Sequence, residues 1–177
     1  MQFHGFNSRK KVICHPEVLE KLPQEELLLL QHYFELLTSQ NSIEFAPNMF
    51  FLGEIPRKTT FEKGGFDDDK LRDDSAIALK TEKGVVVISG CSHAGICNIC
   101  EYAKQVTALP LYAVIGGFHL FEKDHKAVEG TLDYFQREKP PYLFPMHCVD
   151  FPTSAKFHHF FAIKKYSAGN VISLEEV

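Results

Sequence analysis

Three apolar runs, each ending at or just before a histidine, constrain this chain more than any other feature. VVVIS at 85–89 is continuously apolar and mostly β-branched, the pattern of a strand buried on both faces. LYAVIGG at 111–117 reads as a second strand, and PPYLFPMH at 140–147 as a third, bounded by prolines. Helical patterns fill the intervals. AGICNICEYAKQV carries Ile96, Ile99, Cys100, Ala103 and Val106 at helical spacing, and HKAVEGTLDYFQRE puts Val128, Leu132 and Phe135 on one side. SAKFHHFFAIKKY reads as a further helix and NVISL as a short closing strand. Strands alternating with helices of this length imply βαβ units with right-handed crossovers, so the fold class is α/β, layered.

The first half is less regular. KKVIC predicts a strand, HPEVLEKL a helix with Pro16 in its first turn, and PQEELLLLQHYFELL a long helix. SIEFAPNMFFLGEI predicts a pair of short strands. KTTFEKGGFDDDKLRDD is polar and acidic and predicts a loop, with Asp67, Asp68 and Asp69 facing solvent. DSAIALKTEKGVVVIS predicts a hairpin turning at Glu82-Lys83-Gly84. There is no internal repeat and no low-complexity tract.

Length and charge narrow the function classes. A chain of 177 residues suits one domain with a real core. Its net charge of −4, with no Lys/Arg block, argues against a nucleic-acid backbone binder. No run approaches the roughly 18 apolar residues of a membrane span, and the N-terminus lacks the apolar core of a signal peptide. Five cysteines, an odd number in a chain able to build its own core, favour a reducing compartment, so the expectation is a cytoplasmic protein.

The histidines carry the chemistry. His93 follows VVVIS in SGCSH, His119 follows LYAVI in GGFHL, and His147 ends YLFPM in PMHC. If these strands are parallel, their carboxyl ends share one edge, where open α/β sheets place ligand sites. A single strand-end histidine is an ordinary polar terminus, whereas three on consecutive strands form a metal-site arrangement, since neutral imidazole ligates zinc and also suits iron. His93 and His147 are therefore read as metal ligands, and His119 as a ligand or a pocket wall. Gly90, Gly116 and Gly117 would let the backbone turn sharply there.

Cys97 and Cys100 form a CxxC, but inside a predicted helix and without the second pair that a four-ligand structural zinc site needs. They read as small core residues. Cys91, beside His93, reads as a pocket thiol or weak ligand, while Cys148, next to His147, stays ambiguous. Asp74, just before strand SAIALK, is placed to orient a ligand histidine or a substrate.

With GEIPR, RDDSAI, GVVVISGCSHAGI, YAVIGGFHL and PMHC in this order, the chain resembles the metallo-β-lactamase-fold superfamily. It is most similar to the branch named for 7,8-dihydropterin-6-methyl-4-(β-D-ribofuranosyl)-aminobenzene-5'-phosphate synthase. The resemblance covers essentially all of residues 1–177, as one domain matching the C-terminal two-thirds of the family fold. It implies an αββα sandwich with one or two divalent metals at its edge: zinc, or else iron or manganese. Water activated there would attack an ester-like or phosphoester-like centre of a small-molecule substrate. Carried over, His93 and His147 match metal-site residues, with His119 in the same pocket and Cys91 and Asp74 beside it. The family's HxHxDH motif is absent, since no His-x-His occurs in the 177 residues. This implies a truncated family member with impaired or partner-dependent activity, or a binding module that keeps the fold without a working metal centre. It also implies an uncovered sheet edge and apolar face, met by self-association or a complementing N-terminal chain.

Overall fold

The computed structural model describes residues 10–62, 71–164, 166–167, 169–171 and 173. The acidic run Asp67 to Asp69 lies outside them.

Six strands form one mixed sheet in chain order: β3 (Ile43–Ala46), β4 (Met49–Phe51), β5 (Ala76–Thr81), β6 (Gly84–Ser89), β7 (Leu111–Gly116) and β8 (Tyr142–Pro145). β3 to β6 pair antiparallel, and the hairpin between β5 and β6 turns at Glu82 and Lys83. β6, β7 and β8 are parallel, so Ser89, Gly116 and Pro145 end their strands at one edge. The crossovers are α3 (Ile96–Thr107) and α4 (His125–Glu138), and α5 (Phe151–Phe161) follows β8.

Strand alternation splits the core between two sheet faces. Val85 and Val87 of β6 pack with Ile96, Ile99 and Cys100 of α3 and with Leu132 and Phe135 of α4. Phe118, Phe135 and Phe157 complete this layer, with ring centroids 5.7 to 6.4 Å apart. Cys97 and Cys100 are fully buried in it, as small core residues. Each such buried side chain stabilises the fold by about 1.5–3 kcal/mol. On the other face Val86, Tyr112, Ala113 and Phe144 form a smaller cluster, and Ile88 of the same strand is 41% exposed.

The N-terminal part differs from expectation. β1 (Lys10–Cys14) and α1 (Pro16–Glu20) form where the sequence places a strand and a helix, but the long helix is shorter than its pattern. α2 (Gln24–Tyr33) stops at Phe34, and FELLT becomes β2 (Phe34–Thr38), pairing in parallel with β1 from Lys10↔Phe34 to Cys14↔Thr38. Tertiary pairing overrides local helical spacing here. The expected closing strand NVISL is not formed at Asn170, Val171 or Ser173, and Val171 is exposed. β8 is also shorter than PPYLFPMH, because Met146 and His147 already belong to the turn beyond it.

Candidate metal centre at the carboxyl edge of the parallel strands

The edge is built by turns that lock onto one another. After β6, Ser92 adopts a left-handed backbone (φ 62°), and its hydroxyl donates to the Gly117 carbonyl at 2.5 Å and lies within hydrogen-bond reach of Ser89 Oγ at 2.8 Å. The Gly117 amide donates to Gly90 O at 2.8 Å, tying the turn after β7 to the turn after β6. The turn after β8 is held by Met146 N to Gly116 O at 2.8 Å and Leu120 N to Cys148 O at 2.9 Å. His119 (φ 50°) and Cys148 (φ 52°) are also left-handed, a conformation that costs a non-glycine residue about 1 kcal/mol or more and persists only where its surroundings enforce it.

These turns divide the three strand-end histidines. His93 and His119 meet edge-to-face, with ring centroids 4.6 Å apart, and His119 also meets Phe121 at 5.3 Å. Both histidines line a cavity of about 530 Å³ whose walls include Leu71, Glu62 and the start of α4 at Lys123 to Ala127. Burial, then the neighbouring His93, holds the His119 imidazole below its ordinary value. Asp74 Oδ1 lies 3.7 Å from His93 Nδ1, and Asp74 Oδ2 accepts from the Ala94 amide at 2.8 Å. Arg57, from GEIPR, donates to the carbonyls of His93 at 3.3 Å and Leu71 at 3.2 Å.

His147 sits instead with two thiols. Its Nε2 is 3.5 Å from Cys91 Sγ, and Cys148 Sγ is 3.6 Å from Cys91 Sγ. The three ligand atoms all lie within 4.8 Å of one another, and His93 and His119 are not part of this group. Gly117 makes the space: a β-carbon there would stand 2.7 Å from His147 Nε2 and 2.9 Å from Gly90 O. An imidazole and two thiols facing one gap suit a borderline-soft divalent cation, and the Gly117 cradle keeps the imidazole among them.

Sequence reasoning left Cys148 ambiguous; its adjacency to His147 was the available signal. It also missed the loop residue that organises the α3 end. α3 starts at Gly95 without a side-chain cap, and Glu62 supplies one, accepting from Cys97 N at 2.8 Å, Asn98 N at 3.0 Å and Thr59 Oγ1 at 2.9 Å. Asn98 Oδ1 answers by accepting from Lys58 N at 2.7 Å and Thr59 N at 2.9 Å.

Known structures share this architecture. A crystallised metal-dependent hydrolase of the β-lactamase superfamily superposes with a TM-score of 0.80 at 25% identity, over 94% of this chain and 72% of that one. The 7,8-dihydropterin-6-methyl-4-(beta-D-ribofuranosyl)-aminobenzene-5'-phosphate synthase of Methanocaldococcus jannaschii is 31% identical over 150 residues, 76% of this chain and 51% of the relative. The chain has the metallo-β-lactamase-superfamily fold. An uncharacterized protein of the same organism is 29% identical over 140 residues, 75% of this chain and 51% of that one. The chain thus spans about half the length of the curated relatives it matches. No family model matches it. Among the described residues, no helix is long and apolar enough to cross a membrane.

Proposed function

We propose that this metallo-β-lactamase-fold chain is a metal-dependent hydrolase-type protein of the dihydropterin synthase-like branch, acting on a small-molecule ester or phosphoester. The observation that carries this reading is the placement of His93 and His119 at a cavity mouth with His147 at the same strand edge. His93 and His147 would hold a divalent cation, zinc in preference to iron or manganese. His119, with burial favouring its neutral form, either joins them or receives the substrate. Bound there, the cation supplies Lewis acidity and activates water. The chain's own residues do the rest: Asp74 and Arg57 fix the turn that presents His93, and the cavity admits the substrate while Phe118 and Phe121 exclude water from one wall.

A second reading, a binding or assembly module without a working metal centre, is favoured by the separation of His147 from the His93–His119 pair. The free cysteines among the described residues support a cytoplasmic location.

Metal analysis of the purified chain, alone and as His93→Ala, decides between the readings. Stoichiometric zinc, iron or manganese that is lost in the variant supports the hydrolase. A metal-free protein whose stability His93→Ala leaves unchanged overturns it.

A further inference from the structure

We infer that Cys91, His147 and Cys148 form a thiolate-rich zinc site, with His147 bound to the cation through Nε2 and one coordination position left open. The inference rests on the metal reading for His147 alone; the two thiols are new to it.

Geometry carries it. A tetrahedral zinc with Zn–S near 2.3 Å and Zn–N near 2.05 Å sets two sulfurs about 3.8 Å apart, and a sulfur and a nitrogen about 3.6 Å apart. The observed edges are 3.6 Å for Cys91 Sγ to Cys148 Sγ and 3.5 Å for Cys91 Sγ to His147 Nε2. The third edge, His147 to Cys148, lies within 4.8 Å and would have to shorten to about 3.6 Å for all three donors to hold one ion. Two of the three edges thus already fit a tetrahedral zinc to within about 0.2 Å.

Backbone order is the second support. The donors stand on two turns, after β6 and after β8, and each is bonded to the turn after β7: Gly117 N to Gly90 O, and Leu120 N to Cys148 O. Cys148 is held at φ 52°, a conformation the surrounding bonds must enforce. Gly117 between them has no side chain, and a methyl there would strike the His147 ring. The turns that carry the donors are therefore ordered before any ion arrives, which lowers the cost of assembling the ligands.

Chemistry selects the ion. Thiols bind as thiolates, so on binding the Cys91 and Cys148 protons pass to solvent and two negative charges meet the dication, with no change of oxidation state. Two thiolates and an imidazole favour zinc and its thiophilic relatives over magnesium or calcium, which take oxygen ligands. Three protein ligands leave a fourth position for water or a substrate atom.

The test is titration of the reduced, metal-stripped chain with cobalt(II), followed by competition with zinc. Stoichiometric cobalt should bind with a sulfur-to-cobalt charge-transfer band in the near ultraviolet. Cys91→Ser and Cys148→Ser should each weaken that band and cost zinc affinity more than the roughly 10–100-fold of losing an outer partner. The double variant should lack the band, whereas Cys14→Ser should retain it. Serine preserves side-chain shape, and unchanged circular dichroism of the variants confirms the fold. Cobalt bound without the band, or a band that survives in the double variant, overturns the inference and leaves the hydrolase reading standing. No cobalt bound at all overturns both.

Discussion

His147 Nε2 lies 3.5 Å from Cys91 Sγ, across a gap that exists because residue 117 is glycine. The two residues are 56 positions apart in the chain. They meet because β6 and β8 flank β7 in parallel, so their following turns emerge at the same edge on either side of Gly117. His93, two residues beyond Cys91, turns instead toward His119 and the cavity.

Gly117→Ala should displace the His147 ring without unfolding the chain. The added methyl has backbone on one side, at Gly90 O, and the imidazole on the other. The imidazole must move, because the Gly90 carbonyl is fixed by the Gly117 amide. Overpacking of this kind costs about 1–3 kcal/mol, read as a lower midpoint in urea. Zinc affinity should fall about tenfold or more. A variant that binds zinc like the parent would show that His147 does not depend on this cradle.

Asp74 serves two neighbours, the Ala94 amide and the His93 ring. Asp74→Ala removes both and leaves a partly buried N–H unsatisfied, at a cost of about 1–3 kcal/mol. Asp74→Asn keeps an oxygen for Ala94 and should cost less. Urea unfolding of the pair checks the order; equal losses would mean that the charge facing His93, not the amide bond, holds the turn.

Glu62 makes stability depend on pH. Burial raises its carboxyl above the ordinary 4.5, against the lowering effect of the Cys97, Thr59 and Asn98 hydrogen bonds. A folded value above the unfolded one means the native state binds the proton more tightly. The resulting stabilisation is complete below 4.5 and is lost as pH rises through the folded value. Glu62→Gln cannot titrate, so the parent's advantage over it should shrink as pH rises from 4 to 7, roughly the window in which a raised carboxyl titrates. Denaturant unfolding at several pH values measures this; an advantage that grows with pH would contradict the sign.

The cysteines should separate by reactivity. Cys97 and Cys100 are fully buried, and burial drives both thiols far above their ordinary value, so they should resist alkylation in the native protein. Cys91 and Cys148 are only partly buried at the strand edge and should react first, and more slowly once zinc is present. Mass spectrometry of the alkylated peptides, native against unfolded, reads the pattern. Early modification of Cys97 would mean that α3 opens locally.

Much of this fold was written in local pattern. VVVIS and LYAVI form the buried strands their apolar runs predict, with Ile88 alone of these apolar residues exposed, and α4 covers the residues its apolar spacing marks, because sheet and helix periods are properties of the chain itself. That His93, His119 and His147 end up at one sheet edge followed from the same alternation, since right-handed crossovers make the strands parallel. Local pattern could not show that FELLT leaves α2 to pair with β1, because those residues suit a helix equally well and the partner strand lies 24 residues earlier along the register. Nor could it show that Glu62, 35 residues before Cys97, caps α3.

Which donors meet was also decided only in three dimensions. The sequence by itself placed the three strands and put a histidine or cysteine just beyond each of them. The tertiary structure sent His93 to His119 and His147 to Cys91 and Cys148. That choice depends on backbone bonds between turns and on left-handed residues such as Ser92 and Cys148, whose conformations are set by long-range contacts and not by the residues' own preferences.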